Sequence, residues 1–231
     1  MQVLVRSWNV FHGNTVPPTR RGYLREMLEL VTEERPAIVC LQEVPVWALP
    51  HLAGWSGTHA YWLVARGPRR PAALAAAITR LRNGLFRSRL AGQANAILID
   101  RSLGSTDLGG VQISDAGRER RVVHAVRVEN VGVVGNLHAS NAAAAIVEPE
   151  LERARLFIDA LAAPGEARIL AGDFNLRHPA LAGYENDGPG IDHILVADGF
   201  AEPLTSWAPV ERRVAGRVLS DHAPVERLVG R

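Results

Sequence analysis

ARILAGDFN, spanning Ala167–Asn175, is the stretch that decides how this chain is read. Its first five residues, apolar but for Arg168, have the length of a buried strand. The run stops at Gly172, and Asp173, Phe174 and Asn175 follow at once. Two later clusters are built alike. GIDHIL at Gly190–Leu195 opens a strand on Asp192, and SDHAPV at Ser220–Val225 sets Asp221 and His222 before the last apolar run, His222–Leu228. Toward the N-terminus, Asn9 closes the alternating stretch Val3–Val10, Glu43 follows Ala37–Leu41, and His138 follows Val131–Leu137. Polar groups thus recur where strands begin or end. If those strands pair, the groups gather at one sheet rim.

The segments between these points alternate in type. Thr19–Arg35 carries Leu24, Met27, Leu28 and Val31 at helical spacing and is stopped by Pro36. Further helices are expected at Pro71–Arg82 and Glu148–Ala162, the second with Pro149 in its first turn. His59–Ala65, Ala94–Ile99 and Ile191–Val196 read as strands, and Val122–Val128 with Val131–Leu137 as a hairpin across Glu129–Asn130. An α/β alternation followed by a β-rich half is satisfied by two packed sheets with helices outside. Without repeats or a linker-like tract, residues 1–231 read as one domain.

Composition narrows the class. A chain of 231 residues with 47% hydrophobic and 22% charged residues is ordinary for a globular protein. No apolar run reaches the roughly 20 residues of a membrane helix. The N-terminus opens as a strand rather than a leader, and a lone cysteine, Cys40, precludes an internal disulfide. The expectation is a cytoplasmic protein with no obligate protein partner. The net charge is only +2, yet all 26 basic residues are arginine. A run containing Arg66, Arg69, Arg70, Arg80, Arg82, Arg87 and Arg89 has no acid within it. Arginine forks onto phosphate, so Arg87 and Arg89 are candidate contacts to a polyanion; a solvated helix face and loop explains the run about as well.

Carboxylates at strand ends supply hard oxygen ligands, which suit Mg²⁺, Mn²⁺ or Ca²⁺, and one cysteine cannot build a thiolate site. Taken in order, WN at Trp8–Asn9, QE at Gln42–Glu43, NLH at Asn136–His138, GDFN, the ID of Ile191–Asp192 and SDH at Ser220–His222 resemble the exonuclease–endonuclease–phosphatase superfamily, the deoxyribonuclease-I-like fold. The resemblance implies a four-layer α/β sandwich, two mainly antiparallel sheets face to face with helices on the outside. It implies a divalent-metal site, Mg²⁺ or Mn²⁺, at Glu43 with Asn9 and Asp221 beside it. It casts Asp173 as the residue orienting or deprotonating water, Asn175 as a donor to phosphate, and Asp192 as the carboxylate holding His222 against the phosphoryl group. His138 takes the place of a phosphate-contacting or proton-donating histidine. Asn95, in GQANAIL at Gly92–Leu98, resembles a substrate-side asparagine. His193 takes the place of an aromatic residue and, by strand alternation, faces away. His12 and Asn141 read as loop residues near the same rim.

The implied activity is phosphoester hydrolysis, with nucleic acid the expected substrate. A small phosphoester or lipid headgroup is the alternative within enzymes. A binding module that had lost its chemistry is the alternative outside them, and the completeness of the polar set argues against it.

Overall fold

The computed structural model describes residues 1–68, 91–185, 188 and 190–230. The helix expected at Pro71–Arg82, and Arg87 and Arg89, lie outside them. Along the chain come β1 (Gln2–Asn9), β2 (Thr15–Val16), α1 (Leu24–Val31), β3 (Ile38–Val44), α2 (Leu52–Ser56), β4 (His59–Arg66) and β5 (Gln93–Ile99). The second half brings β6 (Ser105–Gln112), β7 (Val122–Val128), β8 (Gly132–His138), α3 (Ala144–Leu161), β9 (Arg168–Asp173) and β10 (Asp192–Ala197). The short strands β11 (Phe200–Ala201), β12 (Thr205–Ser206), β13 (Arg213–Val214) and β14 (Arg217–Leu219) precede β15 (Val225–Gly230).

One sheet runs β11-β15-β1-β3-β5-β4, with β12 also on β15; the other runs β10-β9-β8-β7-β6. Pairing is antiparallel except for β1 with β3 and β8 with β9. A small third sheet joins β13, β14 and β2.

Strand alternation builds the layers. Val3, Val5, Ile38, Cys40, Ile97 and Ile99 of the first sheet meet Val126, Val134, Ile169, Ala171, Ile194 and Val196 of the second in one core. The alternate residues face outward. Trp8, Val39 and Leu41 pack with Met27, Leu28 and Val31 of α1 and Leu52 of α2. Val123, Val133, Leu137 and Leu170 pack with Val147, Leu151, Ala154 and Ile158 of α3. Helices, sheet, sheet and helix make the four-layer α/β sandwich. Among the described residues no helix is long and apolar enough to cross a membrane.

The expected segments differ from the structure in several places. The first helix spans Leu24–Val31 rather than Thr19–Arg35. The third helix starts at Ala144, not Glu148, because Ala143–Ala145 are strong helix formers and the Val147 N–H already donates to the Ala143 carbonyl. Pro149 then falls in the second turn. The last strand begins at Val225 rather than His222, since Asp221–Pro224 is a loop. Strand β6 was not anticipated; its STDLGGVQ lacks a clean apolar alternation.

A polar seam crosses the intersheet core near one end. Asn136 Nδ2 donates to the Leu41 and Ala96 carbonyls at 2.9 and 2.8 Å, and Gln42 Nε2 donates to Asn136 Oδ1 at 2.8 Å. These bonds clamp the sheets together just below the rim that carries the polar strand ends.

Candidate active site

Register fixes the centre of the site. In the second sheet His138 lies opposite Asp173, and Asp173 opposite Asp192, so three strands present one row. Asp173 continues the inward face of Ile169 and Ala171, as Asp192 does for Ile194 and His138 for Asn136. Gly172 makes this row possible: it sits at φ +144°, and a Cβ there would stand 2.0 Å from the Leu137 carbonyl. Asn9 ends the inward face of β1 and bridges the sheets, its Nδ2 donating to Asp173 Oδ2 at 3.0 Å. The Asn175 backbone N–H donates to Asp173 Oδ1 at 3.0 Å, so both carboxylate oxygens are oriented.

Glu43 arrives by a different device. Strict alternation would aim it with Val39 and Leu41 toward the helices. The β3–β5 register shifts between Leu41 and Val44, and Glu43 adopts φ +55°. That bulge turns its carboxylate to the rim, 3.3 Å from His12 Nε2. Phe11, His12, Asn175 and Ser220 also hold left-handed backbone, at φ +46°, +52°, +50° and +58°. Such geometry costs on the order of 1 kcal/mol per non-glycine residue; Glu34, Arg35, Asn130, Asp198 and Ala215 adopt it in turns away from the site. Ser220 ties its loop down by donating Oγ–H to the Asn9 carbonyl at 2.6 Å, and Trp8 Nε1 donates to the His222 carbonyl at 3.0 Å.

His222 and Asp192 form a pair, Nδ1 to Oδ2, at 2.8 Å, and His222 Nε2 stands 3.7 Å from Asp173 Oδ2. Burial alone would lower the His222 pKa. The Asp192 hydrogen bond and the charges of Asp192, Asp173 and Asp221 outweigh it and carry the imidazole to about 9. Burial and Asp192 push Asp173 up to about 6. Burial and Asp173 push Glu43 up to about 7, with Asn9 opposing and Asp221 adding. His138 goes the other way. Burial first, then the Arg121 guanidinium, hold it well below the usual histidine range. Arg121 Nη1 is 3.2 and 3.3 Å from the two ring nitrogens; equal distances put it against the ring rather than along one lone pair. His138 Nε2 is 3.5 Å from Asp173 Oδ2.

Carboxylates raised first by burial and then by a neighbouring carboxylate form an environment that a cation relieves. Among the described residues Asp173, Asp192 and His222 present ligand-type atoms within 4.8 Å of one another. The oxygen donors of Glu43 and Asp221 beside Asn9 are of the hard type that a divalent cation takes.

Asn95 lies between the sheets, level with the Gln42–Glu43 bulge of β3, and is almost fully buried, its Nδ2 donating to the Val122 carbonyl at 3.0 Å. His193 faces the helix layer, its Nε2 at 2.9 Å from the Leu176 carbonyl. Asn175 reaches the rim with its Nδ2 on the Ala139 carbonyl at 3.0 Å, leaving the second N–H of that amide. Sequence reasoning overlooked Arg121, which no motif marks, and Glu150, which is fully buried and accepts the Ser140 N–H and O–H at 2.8 and 2.7 Å. The acid inside an apolar helix stripe was the available signal for Glu150.

Two stacked sheets carrying acids and imidazoles at one rim define the class: a phosphoesterase-type α/β sandwich. The chain belongs to the endonuclease/exonuclease/phosphatase family, whose profile matches residues 7–222. No curated protein matches the sequence significantly. Among solved structures, it is similar to a functionally unknown conserved protein from Enterococcus faecalis V583, at 15% identity and TM-score 0.69 over 98% of this chain and 99% of that one. Truncated TDP2 from Caenorhabditis elegans matches at 14% identity and TM-score 0.67, over 100% and 98%. An endonuclease/exonuclease/phosphatase from Beutenbergia cavernae DSM 12333 matches at 14% and 0.68, over 99% and 71%. Identities this low establish a shared fold.

Proposed function

We propose that this protein is a divalent-metal-dependent phosphodiesterase acting on nucleic acid. The observation that carries the reading is the meeting of Asn9, Asp173, Asp192 and His222 within hydrogen-bonding reach, from opposite sheets and a loop. Phosphodiester hydrolysis needs an aligned water, a proton acceptor and compensation of charge on phosphoryl oxygens. Asp173, oriented at both oxygens and shifted toward neutral pH, is suited to accept the proton of an attacking water. His222, held protonated by Asp192, places positive charge and an N–H against the phosphoryl group. Asn175 offers its remaining amide N–H to the same oxygens. His138 is neutral, so its part is to contact phosphate and Asp173 rather than to serve as the acid. A Mg²⁺ or Mn²⁺ ion held by Glu43, with Asn9 and Asp221, would neutralise phosphoryl charge and polarise the leaving oxygen.

The arginine-rich run favours nucleic acid over smaller esters through electrostatic attraction. The test is a substrate panel with Mg²⁺ or Mn²⁺: plasmid, single-stranded DNA, RNA, bis(p-nitrophenyl) phosphate and inositol phosphates. Cleavage of the polymers is expected. Turnover of inositol phosphates alone would replace nucleic acid with a small phosphoester, and inertness toward the whole panel would remove the hydrolase reading. With a polymer substrate, neutralising Arg87 and Arg89 should raise KM and flatten its salt dependence.

A further inference from the structure

We infer that His12 is a nitrogen ligand of the cation at Glu43, and that it tilts this site toward Mn²⁺ and similar transition-metal ions over Mg²⁺. The inference rests on the cation reading above and goes beyond it by naming a donor and a metal class.

Three observations carry it. The first is spacing. His12 Nε2 and Glu43 Oε2 stand 3.3 Å apart. A charge-assisted hydrogen bond between such groups is shorter, at about 2.7–2.9 Å. Two ligands each about 2.1 Å from one metal, at roughly 90–110° to each other, are about 3.0–3.4 Å apart. The pair has the separation of adjacent ligands.

The second is the backbone. His12 is 5% exposed, Glu43 occupies a bulge, and both adopt left-handed φ. The turn that presents His12 is fixed from several sides. Asn9 Oδ1 accepts the Phe11 N–H at 3.0 Å, and Gly13 at φ +80° lies so close to Leu24 that a Cβ there would stand 2.9 Å from it. Two strained positions aim two ligand-type atoms at one point, which packing alone does not require.

The third is the donor set. Glu43 supplies oxygen, as Mg²⁺ prefers, and Asp221 stands near enough for its charge to raise the Glu43 pKa. An imidazole added to them favours first-row transition ions, which accept nitrogen more readily than Mg²⁺ does.

The experiment is cation binding to chelator-treated full-length protein, by calorimetry with Mn²⁺ and with Mg²⁺, and by pulsed electron paramagnetic resonance of bound Mn²⁺. Wild type should show ¹⁴N modulation from a coordinated imidazole. H12N is the chosen variant, because asparagine tolerates left-handed backbone. It should lose that modulation and weaken Mn²⁺ binding by about 10-fold or more, as losing a metal-orienting group does, while Mg²⁺ binding changes less than twofold. Bound Mn²⁺ without nitrogen modulation, modulation that persists in H12N, or equal losses for both ions would overturn the inference and leave the cation reading standing. If wild type binds neither ion, the cation reading itself fails, and this one with it. Should H12N not fold, H222N and H138N decide by elimination: modulation surviving in both assigns the nitrogen to His12, and its loss in either refutes the assignment.

Discussion

Asp192 and His222 are thirty residues apart in sequence and 2.8 Å apart in space, and this contact sets the protonation of the imidazole that faces Asp173. D192N removes the charge that keeps His222 protonated, so its pKa should fall from about 9 toward the ordinary value near 6.5. The alkaline limb of the kcat profile should move to lower pH by more than one unit. NMR titration of the His222 ring checks the shift directly, and an unmoved resonance would break the link between the pair and the pH profile.

D173N keeps the shape of Asp173 and deletes its basicity. It should lower kcat by at least about 10²-fold, as loss of a general base does. The fold should survive, and thermal stability in chelator should rise slightly, because the substitution relieves repulsion with Asp192 and Glu43. Near-wild-type turnover would exclude Asp173 as the proton acceptor.

Chelation tests the metal. EDTA should abolish hydrolysis, and Mn²⁺ or Mg²⁺ should restore it. Activity that persists through exhaustive chelation would rule out the metal role.

Stability of the metal-free protein should fall with rising pH, and the sign follows from three groups. Glu43, Asp173 and His222 all have folded pKa values raised above their unfolded ones, to about 7, 6 and 9. A raised group contributes fully below its unfolded pKa, and that contribution is lost as pH climbs through the folded value. The carboxylates act between about pH 4 and 7, and His222 between about 6.5 and 9. His138, held below the ordinary histidine value, acts in the opposite sense below about pH 6.5, so the decline in melting temperature in EDTA should be read from about pH 6.5 to 9, and a saturating divalent cation should flatten it. A rising or flat profile over that range would contradict the crowding of acids around His222.

Glu150 tests the support behind the site. It holds Ser140, whose neighbour Ala139 accepts the Asn175 amide and donates its N–H to the Asp173 carbonyl. E150A leaves the half-buried Ser140 N–H without its carboxylate partner and should cost about 1 kcal/mol in denaturant unfolding. E150Q, which retains an acceptor oxygen, should recover most of that loss. Equal destabilisation by the two would mean that packing, not the hydrogen bonds, is what Glu150 provides.

Much of the architecture was legible because burial on two faces writes itself into sequence. Val3–Val10 alternates, Ala37–Leu41 is apolar throughout, Ala167–Ala171 is apolar but for Arg168, and α1 repeats its apolar residues every third or fourth position. Strand β6 was illegible because STDLGGVQ follows neither pattern.

The amino-acid sequence alone determined the layers, and it determined which acids, amides and imidazoles stand at strand ends, since strand periodicity and apolar runs are local properties. Tertiary structure decided what those groups meet. Only strand register puts Asp173 between His138 and Asp192, only the bulge at Glu43 turns that carboxylate away from the helices, and only sheet stacking brings Asn9 and Arg121 to the same centre. Contacts of this kind join residues 30 to 164 positions apart, and no local pattern encodes an angle or a distance over such spans.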